Sequence, residues 1–136
     1  MPKPGHGGTA EGKKVKIILI DDDREFLEML SHSIERSGFS CQAVSDSRQA
    51  VEKISAEFFD IVVTDMFMPG LFGLQIIDMI RESSPRSSII VVTGSKEGNL
   101  EQCALEHGAD VFLKKPLSLF SFLDTLSRLD TTSENR

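Results

Sequence analysis

Short apolar runs alternate with amphipathic stretches along this chain from Val15 onward, and no other feature constrains its fold as strongly. Each apolar run has the length of a strand, and the stretches between them repeat their apolar residues every three or four positions. Strands that alternate with helices are typical of a parallel sheet, because each helix returns the chain to begin the next strand in the same direction. The sequence therefore predicts an α/β fold with a doubly wound parallel sheet.

Five strands and five helices are predicted, beginning with a strand. This arrangement matches the flavodoxin-like fold, whose strand order 2-1-3-4-5 places strands one and three side by side where such sheets bind ligands. Residues 15–129 form the predicted domain, between a disordered leader (1–14) and a polar, disordered tail (130–136). The predicted strands span 15–20, 39–44, 60–64, 88–93 and 109–113, and the predicted helices span 23–37, a stretch through Ala50 and Ile54, 73–82, 96–107 and 117–129.

Composition and charge exclude several classes of protein. The chain has 136 residues, 40% of them hydrophobic, which suffices for one domain with one core. A formal net charge of -6 and the lack of a basic stripe argue against a nucleic-acid surface. The apolar runs are far shorter than the roughly 20 residues of a membrane helix. We predict a cytoplasmic protein that binds neither membrane nor nucleic acid directly.

The cysteines and histidines carry no metal-binding motif. Cys41 and Cys103 lack ligand spacing and are predicted to be buried free thiols. His6, His32 and His107 are scattered along the chain, so a histidine metal site is not expected.

Aspartates follow two of the predicted strands at the same edge of the sheet. Asp21, Asp22 and Asp23 come directly after the first strand, and Asp65 follows the third. Carboxylates gathered in so small a space repel one another unless a cation lies among them. Oxygen ligands from two or three carboxylates suit Mg²⁺, which also binds phosphate oxygens. The sequence therefore predicts a metal-assisted phosphate site at this edge.

An aspartate ahead of a helix also serves as an N-cap without any metal. Asp22 with Glu25, or Asp23 by itself, would satisfy the first amide groups of the helix. Three aspartates in a row exceed what one cap requires. We therefore assign Asp21 and Asp22 to the metal site and Asp23 to the cap.

Four motifs, each at the end of a predicted strand, occur in a characteristic order. They are Asp21-Asp22, the segment Asp65-Met66-Phe67-Met68-Pro69 with Gly73 beyond it, Thr93-Gly94, and Lys115-Pro116. In this order they resemble the receiver domain of bacterial two-component response regulators, of the chemotaxis-regulator type. The resemblance covers residues 15–129.

The resemblance implies a role for each acidic residue. Asp65 is the implied phosphoacceptor, a carboxylate nucleophile that takes a phosphoryl group from a phosphohistidine. Asp22, Asp65 and the backbone carbonyl of Phe67 are the implied Mg²⁺ ligands, and Asp21 is expected to hold a water on the metal. The chain is thus expected to catalyse only its own phosphorylation and dephosphorylation, and not to be an enzyme in the wider sense.

Two further side chains are implied to contact the phosphoryl oxygens. One is the Thr93 hydroxyl, and the other is a lysine ammonium from either Lys114 or Lys115. Strand alternation does not decide between the lysines, because the register is loose where a strand ends. In the family the lysine directly precedes the proline, so Lys115 is chosen, and the family also implies a cis peptide between Lys115 and Pro116.

The same resemblance implies a switch and a set of partners. Thr93 would move toward the phosphoryl group and let Phe112 turn inward, unless Phe112 is a permanently buried core residue. The output face would be formed by the fourth helix, the fifth strand and the fifth helix. The implied partners are a sensor histidine kinase or a histidine phosphotransfer protein, and a downstream protein or output domain. Whether the chain is a stand-alone receiver, and whether it dimerises, are left open.

Other functions on a similar fold lack their own motifs here. A phosphatase of the haloacid dehalogenase type would need threonine or valine where Glu25 stands, and a later Gly-Asp-x-x-x-Asp motif that the chain lacks. A flavodoxin-like FMN protein would need a loop rich in glycine and hydroxyl groups after the first strand, where this chain is acidic. A scaffold that works without phosphorylation is the remaining alternative, since fold does not fix function.

Overall fold

The computed structural model describes residues 14–68, 71–96 and 98–134, so all but one residue of the predicted leader lies outside the described part. The elements follow the predicted alternation of strands and helices. The strands are β1 (Lys16–Ile20), β2 (Ser40–Val44), β3 (Ile61–Thr64), β4 (Phe67–Met68), β5 (Leu71–Phe72), β6 (Ser88–Thr93) and β7 (Val111–Lys114), and the helices are α1 (Arg24–Arg36), α2 (Ser47–Ala56), α3 (Gly73–Ser83), α4 (Leu100–His107) and α5 (Leu119–Glu134).

Five of the strands form one parallel sheet in the order β2-β1-β3-β6-β7. Counted along the chain these five strands have the order 2-1-3-4-5, which confirms the predicted flavodoxin-like fold. The remaining two strands, β4 and β5, pair in an antiparallel hairpin directly after β3, and this hairpin was not predicted. It is too short to show a hydrophobic period in the sequence.

The sheet separates two layers of core. Alternate residues of β1 belong to different layers, with Ile18 and Ile20 on one side and Ile17 and Leu19 on the other. Side chains of a strand point alternately to opposite faces, and helices cover both faces here, so the central positions of these strands are apolar on both sides. This double coverage explains the continuous apolar runs from which the sheet was predicted.

Two helix starts are fixed by aspartate caps. The Asp23 carboxylate accepts a hydrogen bond from the Phe26 amide at 3.1 Å, which confirms its predicted role at the start of α1. The Asp46 carboxylate caps α2 in the same way, with the Arg48 amide at 2.8 Å and the Gln49 amide at 3.1 Å. Asp23 therefore acts as a helix cap, and Asp21 and Asp22 are the residues available for the acidic cluster at the edge of the sheet.

Two helix boundaries differ from the prediction. The fourth helix was predicted from residue 96 but begins at Leu100, because Gly98 disfavours helix and the Asn99 side chain makes no capping bond. The fifth helix was predicted to end at Leu129, yet α5 continues to Glu134. Asp130, the first residue of the predicted disordered tail, is buried in the fold. No glycine or proline stops the helix after Leu129.

The free thiols are half-buried rather than fully buried as predicted. Burial raises the pKa of the Cys41 thiol to about 11, so it stays protonated and unreactive at neutral pH.

Arg81 ties the end of α3 to two neighbouring loops at the edge of the sheet opposite the aspartates. Its guanidinium donates to the carbonyl of Gly108 at 2.9 Å, to the carbonyl of Pro85 at 3.0 Å and to the carbonyl of Ser87 at 2.6 Å. It also pairs with the Asp110 carboxylate at 2.8 Å. These bonds fix where α4 ends and where β6 and β7 begin.

Gly108→Ala is expected to lower the free energy of unfolding by about 1–3 kcal/mol. The φ of Gly108 is +122°, and an added Cβ would lie 2.8 Å from Cγ and 2.9 Å from Nε of Arg81. The new methyl group would therefore strain the backbone and displace the guanidinium. Urea unfolding of the two proteins measures the difference.

Gly98→Ala is the matched control, because no atom lies within 4 Å of the Cβ it would add. We expect a change within about 0.5 kcal/mol for this surface substitution. Equal stability of the Gly108→Ala and Gly98→Ala variants would contradict the prediction.

Candidate functional site

The predicted acidic cluster forms where β1 and β3 end side by side. Ile20 and Thr64 are partners in the parallel register, so Asp21 and Asp65 follow neighbouring strands at the same level. Carboxylate oxygens of Asp21, Asp22 and Asp65 lie within 4.8 Å of one another. This set of hard oxygen donors at close range fits a divalent cation such as Mg²⁺.

Asp21 is the most buried member of the cluster, with only 2% of its surface exposed. Its Oδ1 accepts a hydrogen bond from the Asp23 amide at 2.9 Å, and its Oδ2 accepts one from Lys115 Nζ at 2.7 Å. Both oxygens are therefore engaged by donors of the chain itself. Asp22, by contrast, is exposed at the mouth of the site.

Asp65 is partly buried in the site, with 12% of its side chain exposed. Its Oδ1 accepts a hydrogen bond from the Phe67 amide at 3.3 Å, and its Oδ2 lies 3.7 Å from Lys115 Nζ. Burial raises the pKa of the Asp65 carboxyl, and the charge of Asp21 raises it further, against the opposing effects of the Phe67 amide and the Lys115 ammonium. The pKa is raised even with the Lys115 ammonium nearby, so an ionised Asp65 favours a further cation in the site.

Lys115 supplies the positive charge inside the cluster, and Lys114 is exposed. Burial lowers the pKa of the Lys115 ammonium, but the hydrogen bond and charge of Asp21, together with the charge of Asp65, outweigh burial and leave the pKa raised. The lysine therefore stays charged at neutral pH. The peptide between Lys115 and Pro116 is cis, as the resemblance implied.

Thr93 ends β6, next to β3, and is almost completely buried. Its hydroxyl oxygen accepts a hydrogen bond from the Ser95 amide at 3.1 Å, and its carbonyl accepts one from the Lys115 amide at 2.9 Å. The hydroxyl is thus bound to the loop that follows β6. Phe112 is half-buried and packs against the core layer on one side of the sheet, so its side chain is neither fully buried nor fully exposed to solvent.

Phe26 is a residue of the site that sequence reasoning missed. An apolar residue in the predicted first helix is expected to serve the core, yet Lys115 Nζ lies over the Phe26 ring, 4.4 Å from the centroid. The sequence carries no signal for this contact, because the two residues belong to elements far apart along the chain.

Comparisons with known proteins point to one family. The profile of a family described as the response regulator receiver domain matches residues 17–127. Response regulator MprA of Mycolicibacterium vanbaalenii is 33% identical over 115 residues, which cover 85% of this chain and 50% of that protein. The chain spans about half the length, or less, of the curated relatives it matches.

Solved structures give the same result. The beryllofluoride-activated NtrC4 receiver domain dimer superimposes with a TM-score of 0.82 at 33% identity, covering 87% of this chain and 98% of that one. A response regulator protein from Burkholderia pseudomallei, solved with a phosphorylated aspartic acid, a calcium ion and citrate, has a TM-score of 0.77 at 26% identity. That alignment covers 88% of this chain and 71% of that one.

Within the described part of the chain, the helices are too short or too polar for any of them to traverse a lipid bilayer.

Proposed function

Because this chain belongs to the response regulator receiver domain family, we propose that Asp65 accepts a phosphoryl group from a histidine kinase or a histidine phosphotransfer protein. The resulting conformational change would then be transmitted to a partner or output domain through the face formed by α4, β7 and α5. Family membership disfavours the haloacid dehalogenase and FMN alternatives. The scaffold alternative is left to experiment.

The observation that carries the proposal is the position of a lysine ammonium between two carboxylates. Lys115 Nζ lies 3.7 Å from Asp65 and 2.7 Å from Asp21. In the transfer step an Asp65 oxygen forms a bond to phosphorus, the bond from phosphorus to the donor nitrogen breaks, and its electron pair stays on that nitrogen. The Lys115 ammonium is close enough to stabilise the charge of the phosphoryl oxygens as they arrive.

Asp22, Asp65 and the backbone carbonyl of Phe67 would hold Mg²⁺, and Asp21 would support it through water. When bound, the ion neutralises charge on the phosphoryl oxygens. The close oxygens of the three aspartates support this assignment. Burial and the charge of Asp21 disfavour the ionised form of Asp65, and the Lys115 ammonium offsets this only in part. A divalent cation would stabilise the ionised form further.

After transfer, the Thr93 hydroxyl would leave the Ser95 amide and donate to a phosphoryl oxygen. The loop after β6 would follow, and half-buried Phe112 would have room to turn inward. The helix α4 suits a moving element, because it is short and its N-cap residue Asn99 makes no side-chain capping hydrogen bond. Large apolar side chains are exposed on the proposed face, namely Leu105, Leu119 and Phe120.

The proposed function is tested by incubating the protein with acetyl phosphate and Mg²⁺ and then measuring its intact mass. We expect one phosphoryl adduct, located by peptide mapping to the segment that contains Asp65, and no adduct when EDTA replaces the metal. An unmodified protein, or an adduct on another segment, would refute the assignment and favour a scaffold.

Lys115→Ala is expected to slow phosphorylation by acetyl phosphate about 10²-fold, because an ammonium that stabilises the developing charge is lost. The initial rate of adduct formation, followed by intact mass, measures the effect. Lys114→Ala is the matched control, since Lys114 is exposed and directly precedes Lys115, and its rate should equal that of the wild type. Equal effects of the two substitutions would argue against the proposed role.

Beryllofluoride, a mimic of the phosphoryl group, is expected to change hydrogen-exchange protection in α4 and in β7 with the first turns of α5. The reason is that movement of Thr93 would pull the loop leading into α4. The helix α2, whose main contacts are with β2 and α3, is the internal control, where protection should be constant. Unchanged exchange in α4 and β7 would contradict the proposed output face.

A further inference from the structure

We propose that Phe26 is a positioning residue for Lys115, and that its ring holds the ammonium between Asp21 and Asp65 so that it meets the incoming phosphoryl group. This inference rests on the proposed function of Asp65. It assigns to the first helix a part in phosphoryl transfer that is exerted through Lys115, beyond its part in the core.

Three groups surround the ammonium of Lys115. Asp21 Oδ2 lies 2.7 Å from Nζ, Asp65 Oδ2 lies 3.7 Å from it, and the centroid of the Phe26 ring lies 4.4 Å from it. A distance below about 6 Å over a ring face is the range in which a cation is attracted by the ring quadrupole. The ring therefore attracts the charge while it takes the place of water.

The ring itself is held by two independent features. The Phe26 amide donates to the Asp23 carboxylate at 3.1 Å, which fixes the first turn of α1. The side chain also packs against the core layer that contains Leu27 and Leu30. Phe26 moreover lines a small cavity together with Asp21 and Asp65, so it belongs to the wall of the site.

An aromatic ring suits this position better than either a charged or an aliphatic side chain. A third carboxylate would attract the ammonium away from the phosphoryl group, and the ring carries no net charge to compete with it. A leucine would exclude water equally well but would offer the ammonium no electrostatic attraction. A long lysine stem with no such partner would also lose more rotamer freedom when it is ordered during the reaction.

The test compares Phe26→Leu, which keeps apolar volume but removes the ring face, with Phe26→Tyr, which keeps the ring. We expect Phe26→Leu to slow phosphorylation by acetyl phosphate at saturating Mg²⁺ about three- to tenfold, and Phe26→Tyr to stay near the wild-type rate. The second measurement is the ¹H and ¹³C NMR signals of the lysine side chains. The ε-methylene of Lys115 should show an upfield ring-current shift in the wild type and in Phe26→Tyr, and should lose it in Phe26→Leu, with Lys114 as the internal reference.

Several results would overturn the inference. If Asp65 is phosphorylated, the inference is overturned by a wild-type rate in Phe26→Leu or by equal slowing in the leucine and tyrosine variants. A Lys115 signal without the ring-current shift in the wild type would also overturn it. A wild-type protein that takes up no phosphoryl group would instead refute the proposed function, and the inference with it. The two failures are therefore distinguishable from the mass of the wild type alone.

Discussion

Asp65→Asn is expected to abolish uptake of a phosphoryl group from acetyl phosphate, with the rate falling about 10⁴-fold or more, below detection by intact mass. An amide oxygen is a poor nucleophile, so no bond to phosphorus forms. The substitution preserves the local structure, because the amide oxygen still accepts the hydrogen bond that the Phe67 amide donates to Asp65. Loss of the adduct would thus report the chemistry and not unfolding.

Asp46→Asn provides the control for the same chemical change away from the site. Asp46 caps α2, and asparagine caps a helix about as well as aspartate. This variant should be phosphorylated at the wild-type rate. A phosphoryl adduct on Asp65→Asn in the same amount as on the wild type would show that another residue is the acceptor.

Phe122→Ala is expected to lower the free energy of unfolding by about 3–5 kcal/mol. Phe122 is 0% exposed and lies in the core layer between α5 and the sheet. Its removal would leave a cavity next to β1, β3 and β6, because packed neighbours relax only in part. Urea unfolding followed by circular dichroism measures the loss.

Phe120→Ala is the matched control on the same helix, since Phe120 is 82% exposed. Its expected effect on stability is within about 0.5 kcal/mol. A partner that docks on the face formed by α4, β7 and α5 would nonetheless bind this variant less well. If Phe122→Ala were as stable as Phe120→Ala, the helix would not be packed as described.

The sheet was predictable because buried parallel strands appear in the sequence as continuous apolar runs. The strand β6 was predicted at the residues where it occurs, Ser88–Thr93, since helices cover both of its faces and require an unbroken apolar run. The helix α4 was less predictable. Its apolar stripe is sparse and its start is set by weak local preferences, so its boundary was placed too early.

The site was predictable to the extent that it depends on strand ends. Asp21, Asp22 and Asp65 come together because β1 and β3 are neighbours, and that follows from the strand order alone. The choice between Lys114 and Lys115 was different. It needed a family resemblance, because the sequence does not fix the register where a strand ends.

The sequence alone determined the alternation of elements, because hydrophobic period is a local property of the chain. The strand order, and with it the edge at which the acidic residues meet, was predicted from the fold that this alternation matches. Only the tertiary structure decided that the Asp21 carboxylate accepts hydrogen bonds from Lys115 and from the Asp23 amide. It also decided that the Phe26 ring lies against the Lys115 ammonium. The physical reason is that contacts between side chains on different elements depend on how helices and strands pack in three dimensions. No local pattern along the chain encodes those distances.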